Sequence, residues 1–267
     1  MTVAIIGAGV MGETLLSGLL RGGHDAADLM VGEKREERAV ELRQKYAVRV
    51  VSDLAEVTGA DTVALVVKPQ DMGDVLTEIA PHLHTGQLLI SLAAGITTEY
   101  IEKHIPDGIA VVRVMPNTPA LVDEGMAAIS AGTHCDEEHL ARAEAMLAVT
   151  GRVVRVPEKQ QDAVTAISGS GPAYLFFVVE AMIEAGVHLG LPRSTSTELV
   201  VQTVVGSAKL LRETGTHPTV LREQVTSPGG TTAAAIRELE DHKVRAAFIT
   251  AMEAARDRSV ALAATDD

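Results

Sequence analysis

The chain has 267 residues, of which 46% are hydrophobic but only 2% aromatic, and it carries a formal net charge of −13. That length suits one large domain or two ordinary ones, and the acidic balance argues against nucleic acid or an anionic membrane as a partner. With no Trp and a single cysteine, Cys135, the core must be built from aliphatic residues and Met, no intrachain disulfide can form, and a reducing, cytoplasmic setting is expected.

Met1-Thr2 runs straight into an apolar strand, Val3-Ala4-Ile5-Ile6, so no signal peptide is expected. The strand leads into Gly7-Ala8-Gly9-Val10-Met11-Gly12 and a helix whose apolar face carries Val10, Met11, Leu15, Leu16, Leu19 and Leu20 as far as Gly22-Gly23. This is G-x-G-x-x-G with a strand before it and a helix after it. Gly7 suits the tight turn, Gly9 the close approach of a pyrophosphate, and Gly12 the packing of helix on strand. The next strand, Leu29-Met30-Val31, ends at Gly32-Glu33-Lys34-Arg35. Glu33 lies about 20 residues past the glycine turn, where an acidic side chain binds the adenine-ribose diol and favours NAD. Lys34 and Arg35 are equally placed to hold a 2′-phosphate, which favours NADP, so the residues leave both readings open.

The alternation continues with strands at Thr62–Val67, Leu88–Ser91 and Ala110–Val114. They end in Lys68-Pro69-Gln70, Ala93-Ala94-Gly95 and Met115-Pro116-Asn117-Thr118-Pro119, and the carboxyl edge of an open parallel sheet is where ligands bind. Segments near Met126–Ile129 and Arg152–Val156 complete the sheet, with an acidic surface helix over Glu137–Ala148 between them. After Val156-Pro157 the pattern becomes helical: Glu158–Ile167, then the turn Ser168-Gly169-Ser170-Gly171-Pro172-Ala173-Tyr174, then an apolar helix to Leu189. Glu180, Glu184 and His188 form one stripe on that helix, which predicts a buried helix and not a membrane span. A helix capped by Ser194 or Thr195 runs to about Arg212, a turn at His217-Pro218 precedes Leu221–Val225, and a last helix starts near His242. These helices carry more apolar surface than their length can bury, which predicts a dimer.

The most informative stretch of this half is Thr226-Ser227-Pro228-Gly229-Gly230-Thr231-Thr232, running into Ala233-Ala234-Ala235. It predicts a helix start whose free N–H groups and positive dipole end attract a small anion, with two threonine hydroxyls beside it. The half has no H-E-x-x-H, no metal-ligand spacing, no Ser/His/Asp triad and no cysteine nucleophile. A small carboxylate with a C=N acceptor, reduced by the cofactor, fits those residues better than a ketone, because a protonated imine needs no strong acid.

At these motifs, together with Val67-Lys68-Pro69 and Ala93-Ala94-Gly95-Ile96, the chain resembles the bacterial pyrroline-5-carboxylate reductases over almost its whole length. The glycine turn is common to many dehydrogenases, whereas the motifs at 168–174 and 226–232 together are specific to this family. The resemblance implies an α/β fold with an N-terminal Rossmann dinucleotide-binding domain at 1–157 and an all-α substrate and dimerisation domain at 158–267. It implies reduction of (S)-1-pyrroline-5-carboxylate to L-proline with NADPH, or with NADH, in homodimers often assembled into a decamer. The substrate carboxylate is then expected at Ser227, Gly230 and Thr231, with the Thr232 hydroxyl as the catalytic group on the ring nitrogen. The expected cofactor contacts are Gly7, Gly9, Val10, Met11, Gly12, Glu33, Lys34, Arg35, Val67, Lys68, Pro69, Ala94, Gly95 and Asn117. Two other readings share the same start. A β-hydroxyacid-type dehydrogenase would need Lys209 as its catalytic lysine, and a non-enzymatic nucleotide sensor would bind NADPH without turnover.

Overall fold

In the computed structural model of the protein, residues 1–263 are described, and they fall into two compact units. One comprises Met1–Ser170 together with the chain from Ala255 onward, and the other is Gly171–Ala254. The first alternates strand and helix: β1 (Val3–Ile6), α1 (Val10–Arg21), β2 (Leu29–Gly32), α2 (Glu36–Tyr46), β3 (Arg49–Val51), β4 (Thr62–Leu65), α3 (Met72–Ile79), β5 (Leu88–Ser91) and α4 (Thr98–Lys103). It continues with β6 (Ala110–Met115), β7 (Gly125–Ala131), α5 (Glu137–Leu147), β8 (Gly151–Arg155) and the short α6 (Gln161–Val164).

The eight strands form one sheet in the order β3-β2-β1-β4-β5-β6-β7-β8. All neighbours run parallel except β6 and β7, which pair antiparallel from Val112↔Ala131 to Met115↔Ala128. β1, β4 and β5 are buried at every position, which explains why they read as unbroken apolar runs and not as alternating ones. The pleat still sorts their side chains: Ile5 joins a cluster with Leu15, Leu19 and Leu42, and Ile6 joins another with Leu54, Met72 and Leu76. β3 is a strand that the sequence pattern did not disclose. It has three residues at the sheet edge, paired through Met30↔Arg49 and Gly32↔Val51.

The helix expected at Glu158–Ile167 is a mixture. A 3-10 turn at Glu158–Gln160 enters α6, and a π-helical turn at Thr165–Gly169 follows, closed by Ser170 N–H donating to Thr165 O at 2.8 Å. The glycine-rich turn expected at Ser168-Gly169 is thus wound into that π turn. Glu158 anchors the segment to the sheet: its carboxylate accepts from Thr98 N–H at 2.8 Å and from the guanidinium of Arg113 at 3.3 Å. Arg113 is buried on β6, so this pairing keeps its charge from being stranded in the core.

The second unit is helical: α7 (Gly171–His188), α8 (Arg193–Thr214), α9 (Pro218–Gln224), α10 (Thr231–Asp241) and the first part of α11 (Val244–Ala263). α8 starts at Arg193 behind Pro192, without the Ser194 or Thr195 side-chain cap that the sequence suggested. Ser196 donates its hydroxyl to Ile183 O at 2.9 Å, tying the first turns of α8 to α7. The buried helix expected at 173–189 is not buried by its own chain. On α7, Phe176 is 68% and Phe177 72% exposed, and Pro172 is the helix's buried residue. The last helix ends its described course at Ala263, and the remainder of the predicted C-terminal helix lies outside the described residues.

Candidate active site

The glycine turn joins β1 to α1 at the carboxyl edge of the sheet, where β1 sits between β2 and β4. Gly7 has φ +95°, and a Cβ there would lie 2.5 Å from Val66 O, so both conformation and space require glycine. A Cβ on Gly12 would collide with Gly7 O, which explains the second constraint of the motif. Gly9 differs from both. Its backbone is extended (φ −69°, ψ −170°), and an added Cβ would meet nothing within 4 Å. Gly9 is also the N-cap of α1, with no side chain capping the helix, and the first intrahelical bond runs from Glu13 N–H to Gly9 O at 2.9 Å. The N–H groups of that first turn therefore face open space beside Gly9, an arrangement that accepts phosphate oxygens. Val10, read as part of the apolar face, is 70% exposed at the same edge, whereas Leu15, Leu16 and Leu19 are buried.

Glu33 follows β2 and is 8% exposed. Its Oε1 accepts from Arg35 N–H at 2.9 Å and from Arg35 Nε at 3.1 Å, and its Oε2 from Arg35 Nη2 at 2.9 Å. Burial pushes the Glu33 carboxyl up, but the Arg35 bonds and the N–H of Ala8 outweigh it and hold the group below its ordinary range. Lys34 reaches the other way, to Glu78 Oε2 at 2.7 Å.

A residue that the sequence reading missed reaches the glycine turn from the next helix. Arg38, on α2, donates from Nε to Ala8 O at 3.0 Å and pairs with Glu13 and Glu41. Glu13 also accepts from Lys45 Nζ and from the Tyr46 hydroxyl, each at 2.8 Å. Burial opposes the Glu13 charge, but the bonds from Lys45, Arg38 and Tyr46 prevail and bring its pKa down to about 2. A depressed carboxylate contributes stability that is fully present above its unfolded value, near 4.5, and is lost as pH falls toward about 2. Glu13→Gln is therefore expected to lower the urea midpoint at neutral pH, with the gap to wild type closing on acidification. Denaturation curves across that window check this, and a gap that stays constant would show that the network does not titrate as described.

At the ends of β4 and β5, Val67 is half-buried, Lys68 is exposed and caps a 3-10 turn begun by Pro69, and Ala94 is exposed beside Gly95 at φ +81°. Pro69, Ala94 and Gly95 line a cavity of about 440 Å³ together with Thr165, Arg258 and Ser259, so the π turn and the end of α11 reach the same sheet edge. Ser259 is fixed there by its bond to Asp162 Oδ1 at 2.7 Å. Nothing in the spacing of the last helix pointed to this. Asn117 is committed to structure: its Nδ2 donates to Ser168 O and Oγ, each at 3.2 Å, and its Oδ1 accepts from Met126 N–H at 2.8 Å.

The other candidate cluster lies in the helical unit. Thr226-Ser227-Pro228-Gly229 forms the turn before α10, with Gly229 at φ +69° and Gly230 N–H donating to Ser227 O at 3.0 Å. Gly230 is the N-cap of α10 and supplies no side chain, so the N–H groups of Thr231 and Thr232 lack a capping acceptor. Among the described residues neither threonine hydroxyl has a partner, and Thr232 is half-buried while Thr231 is exposed. Lys209, the lysine a β-hydroxyacid-type site would need, is exposed on α8 and lies 3.7 Å from Glu213.

Comparison with known proteins sets these features in a family. Residues 158–262 match the family model for pyrroline-5-carboxylate reductase dimerisation, and residues 2–95 match that for NADP oxidoreductase, coenzyme F420-dependent. The chain is 45% identical over 262 residues to the pyrroline-5-carboxylate reductase of Corynebacterium melassecola, covering 97% of each. It superposes on a pyrroline-5-carboxylate reductase from Coxiella burnetii with a TM-score of 0.93 at 38% identity, covering 97% of each chain. The Plasmodium falciparum pyrroline carboxylate reductase crystallised with NADP bound gives a TM-score of 0.87 at 30% identity, covering 98% of each. A Rossmann-type sheet unit followed by a helical dimerisation region, in a chain this similar throughout, identifies a member of the pyrroline-5-carboxylate reductase family.

Proposed function

We propose that the chain reduces 1-pyrroline-5-carboxylate to proline with a pyridine nucleotide, NADPH being the reductant expected and NADH the second. The observation that carries this reading is the near full-length likeness to the Corynebacterium enzyme, at 45% identity and 97% coverage. The two candidate clusters lie in the two matched regions, the glycine turn within 2–95 and the α10 start within 158–262. The first unit fits a dinucleotide because Gly9 leaves an unobstructed space before uncapped helical N–H groups. Bound there, the reduced nicotinamide supplies the hydride. Gly7, Gly9, Val10, Met11 and Gly12 position its pyrophosphate, and Glu33, Lys34 and Arg35 face its adenosine. Val67, Lys68, Pro69, Ala94 and Gly95 border its other end, with Asn117 holding the turn behind them.

The protein's own part in the chemistry is to hold and orient the imine. The α10 start, with Ser227, Gly230 and Thr231, takes the carboxylate through N–H groups and the positive end of the helix. Thr232 places its hydroxyl on the ring nitrogen, keeping the protonated imine in line for reduction. No charged side chain is needed as the general acid. The division of roles proposed along the sequence is a nucleotide part at 1–157 and a substrate and dimerisation part at 158–267, in a cytoplasmic setting; it does not coincide with the compact units, which part at Ser170. A spectrophotometric assay of NADPH and NADH oxidation with pyrroline-5-carboxylate tests the reading. Tight NADPH binding without turnover of the imine would instead support a nucleotide-binding regulator.

A homodimer is the proposed working state, with a decamer of such dimers as the larger assembly. Its support is the apolar surface that α7 leaves to solvent at Leu175, Phe176 and Phe177, within the region matched to the dimerisation model. Sedimentation at nanomolar protein is expected to show a persistent dimer. A stable folded monomer at that concentration would count against it.

A further inference from the structure

We propose that Arg35 masks Glu33, the carboxylate that would otherwise read an unphosphorylated ribose, and that this internal ion pair biases the chain toward the 2′-phosphorylated nucleotide. The inference rests on the reading that the turn after β2 faces the adenosine of a dinucleotide.

An ionised carboxylate offers about four lone-pair sites. Around Glu33 three N–H donors of Arg35 take three of them, its backbone N–H and the Nε and Nη2 of its guanidinium, and the backbone N–H of Ala8 faces the carboxylate as well. The two backbone donors are fixed by the fold. The two guanidinium donors sit on a side chain that is 68% exposed, so they can leave. A ribose diol brings two O–H donors, which can do no more than replace those two and which carry no charge. NADH therefore exchanges a charged pair for a neutral one. A 2′-phosphate instead gives the departing guanidinium an anionic partner of matching fork geometry.

Neighbouring cations do not cover Glu33. Lys34 is drawn to Glu78, and Arg38 is held by Glu13, Glu41 and Ala8 O. Arg35 is the cation whose move to a ligand phosphate would uncover Glu33. Removing it should act in opposite directions on the two nucleotides, a result that simple loss of a phosphate contact does not give.

The test is equilibrium titration of NADPH and NADH onto the full-length protein by calorimetry, with thermal melts confirming that each variant is folded. Arg35→Gln is expected to weaken NADPH on the order of tenfold or more and to tighten NADH several-fold. Glu33→Gln should do the reverse, tightening NADPH and weakening NADH. Lys34→Gln should weaken NADPH less than Arg35→Gln does and should not tighten NADH, since Lys34 bonds Glu78 and not Glu33. Arg35→Gln leaving NADH unchanged or weaker would overturn the proposal, as would Lys34→Gln matching Arg35→Gln. Arg35→Met, equally unable to bond Glu33, must repeat the Arg35→Gln pattern. The readout is binding, so failure of the wild type to reduce the imine would remove the assigned activity and leave this test standing. A wild type that binds neither nucleotide would overturn both.

Discussion

Gly9→Val is expected to abolish nucleotide binding while leaving the protein folded. Valine adopts the backbone angles of Gly9 without strain, and its Cβ enters a space with no protein atom within 4 Å. The branched side chain then stands in front of the N–H groups at the start of α1, where phosphate oxygens must approach. Losing two or more hydrogen bonds to a charged group, each worth about 1.5–3 kcal/mol, lowers affinity by more than about a hundredfold. Calorimetric titration measures the loss, and a melt within a few degrees of wild type shows that the fold survived. Wild-type NADPH affinity in the folded variant would refute the site. Gly12→Ala makes the contrast, because its Cβ strikes Gly7 O and its effect should appear first in stability.

Thr232→Val is expected to slow turnover of pyrroline-5-carboxylate by on the order of ten- to a hundredfold, the span of one hydrogen bond to a charged or partly charged nitrogen. Valine keeps the shape of threonine and removes the hydroxyl, which has no partner among the described residues and is free to meet a ligand. Nucleotide affinity should hardly change, since its proposed contacts all lie in the first unit. Steady-state kinetics at saturating NADPH give the answer. Wild-type turnover and Michaelis constant in Thr232→Val would reduce the motif to a helix start, whereas loss beyond about ten-thousandfold would mark an obligatory proton donor.

The glycine turn was legible in the sequence because its glycines answer separate local demands: conformation at Gly7, space at Gly12 and, in the proposed reading, ligand approach at Gly9. The α10 start was legible for a similar reason, since Ser227-Pro228-Gly229-Gly230 punctuates the chain and the alanines after it favour helix. Arg38 was not, because it meets Ala8 O only once α2 has packed across the loop, and no local pattern encodes that. The contribution of Arg258 and Ser259 to the sheet-edge cavity depends in the same way on where the last helix returns. β3 is too short to show a period, and the antiparallel turn of β7 against β6 leaves no mark on residues buried on both faces. Hydropathy marked α7 as an apolar helix, which it is. The same surplus of apolar surface is what predicted a dimer, and within the chain itself Phe176 and Phe177 stay exposed.

The uncovered face of α7 has a consequence for how the molecule's robustness must be measured. If copies of the chain meet over Phe176 and Phe177, as proposed, folding is linked to their association, and the melting temperature should climb with protein concentration. Dilution then acts as a denaturant. Two laboratories heating the same sequence at different concentrations would obtain different midpoints, and both would be right.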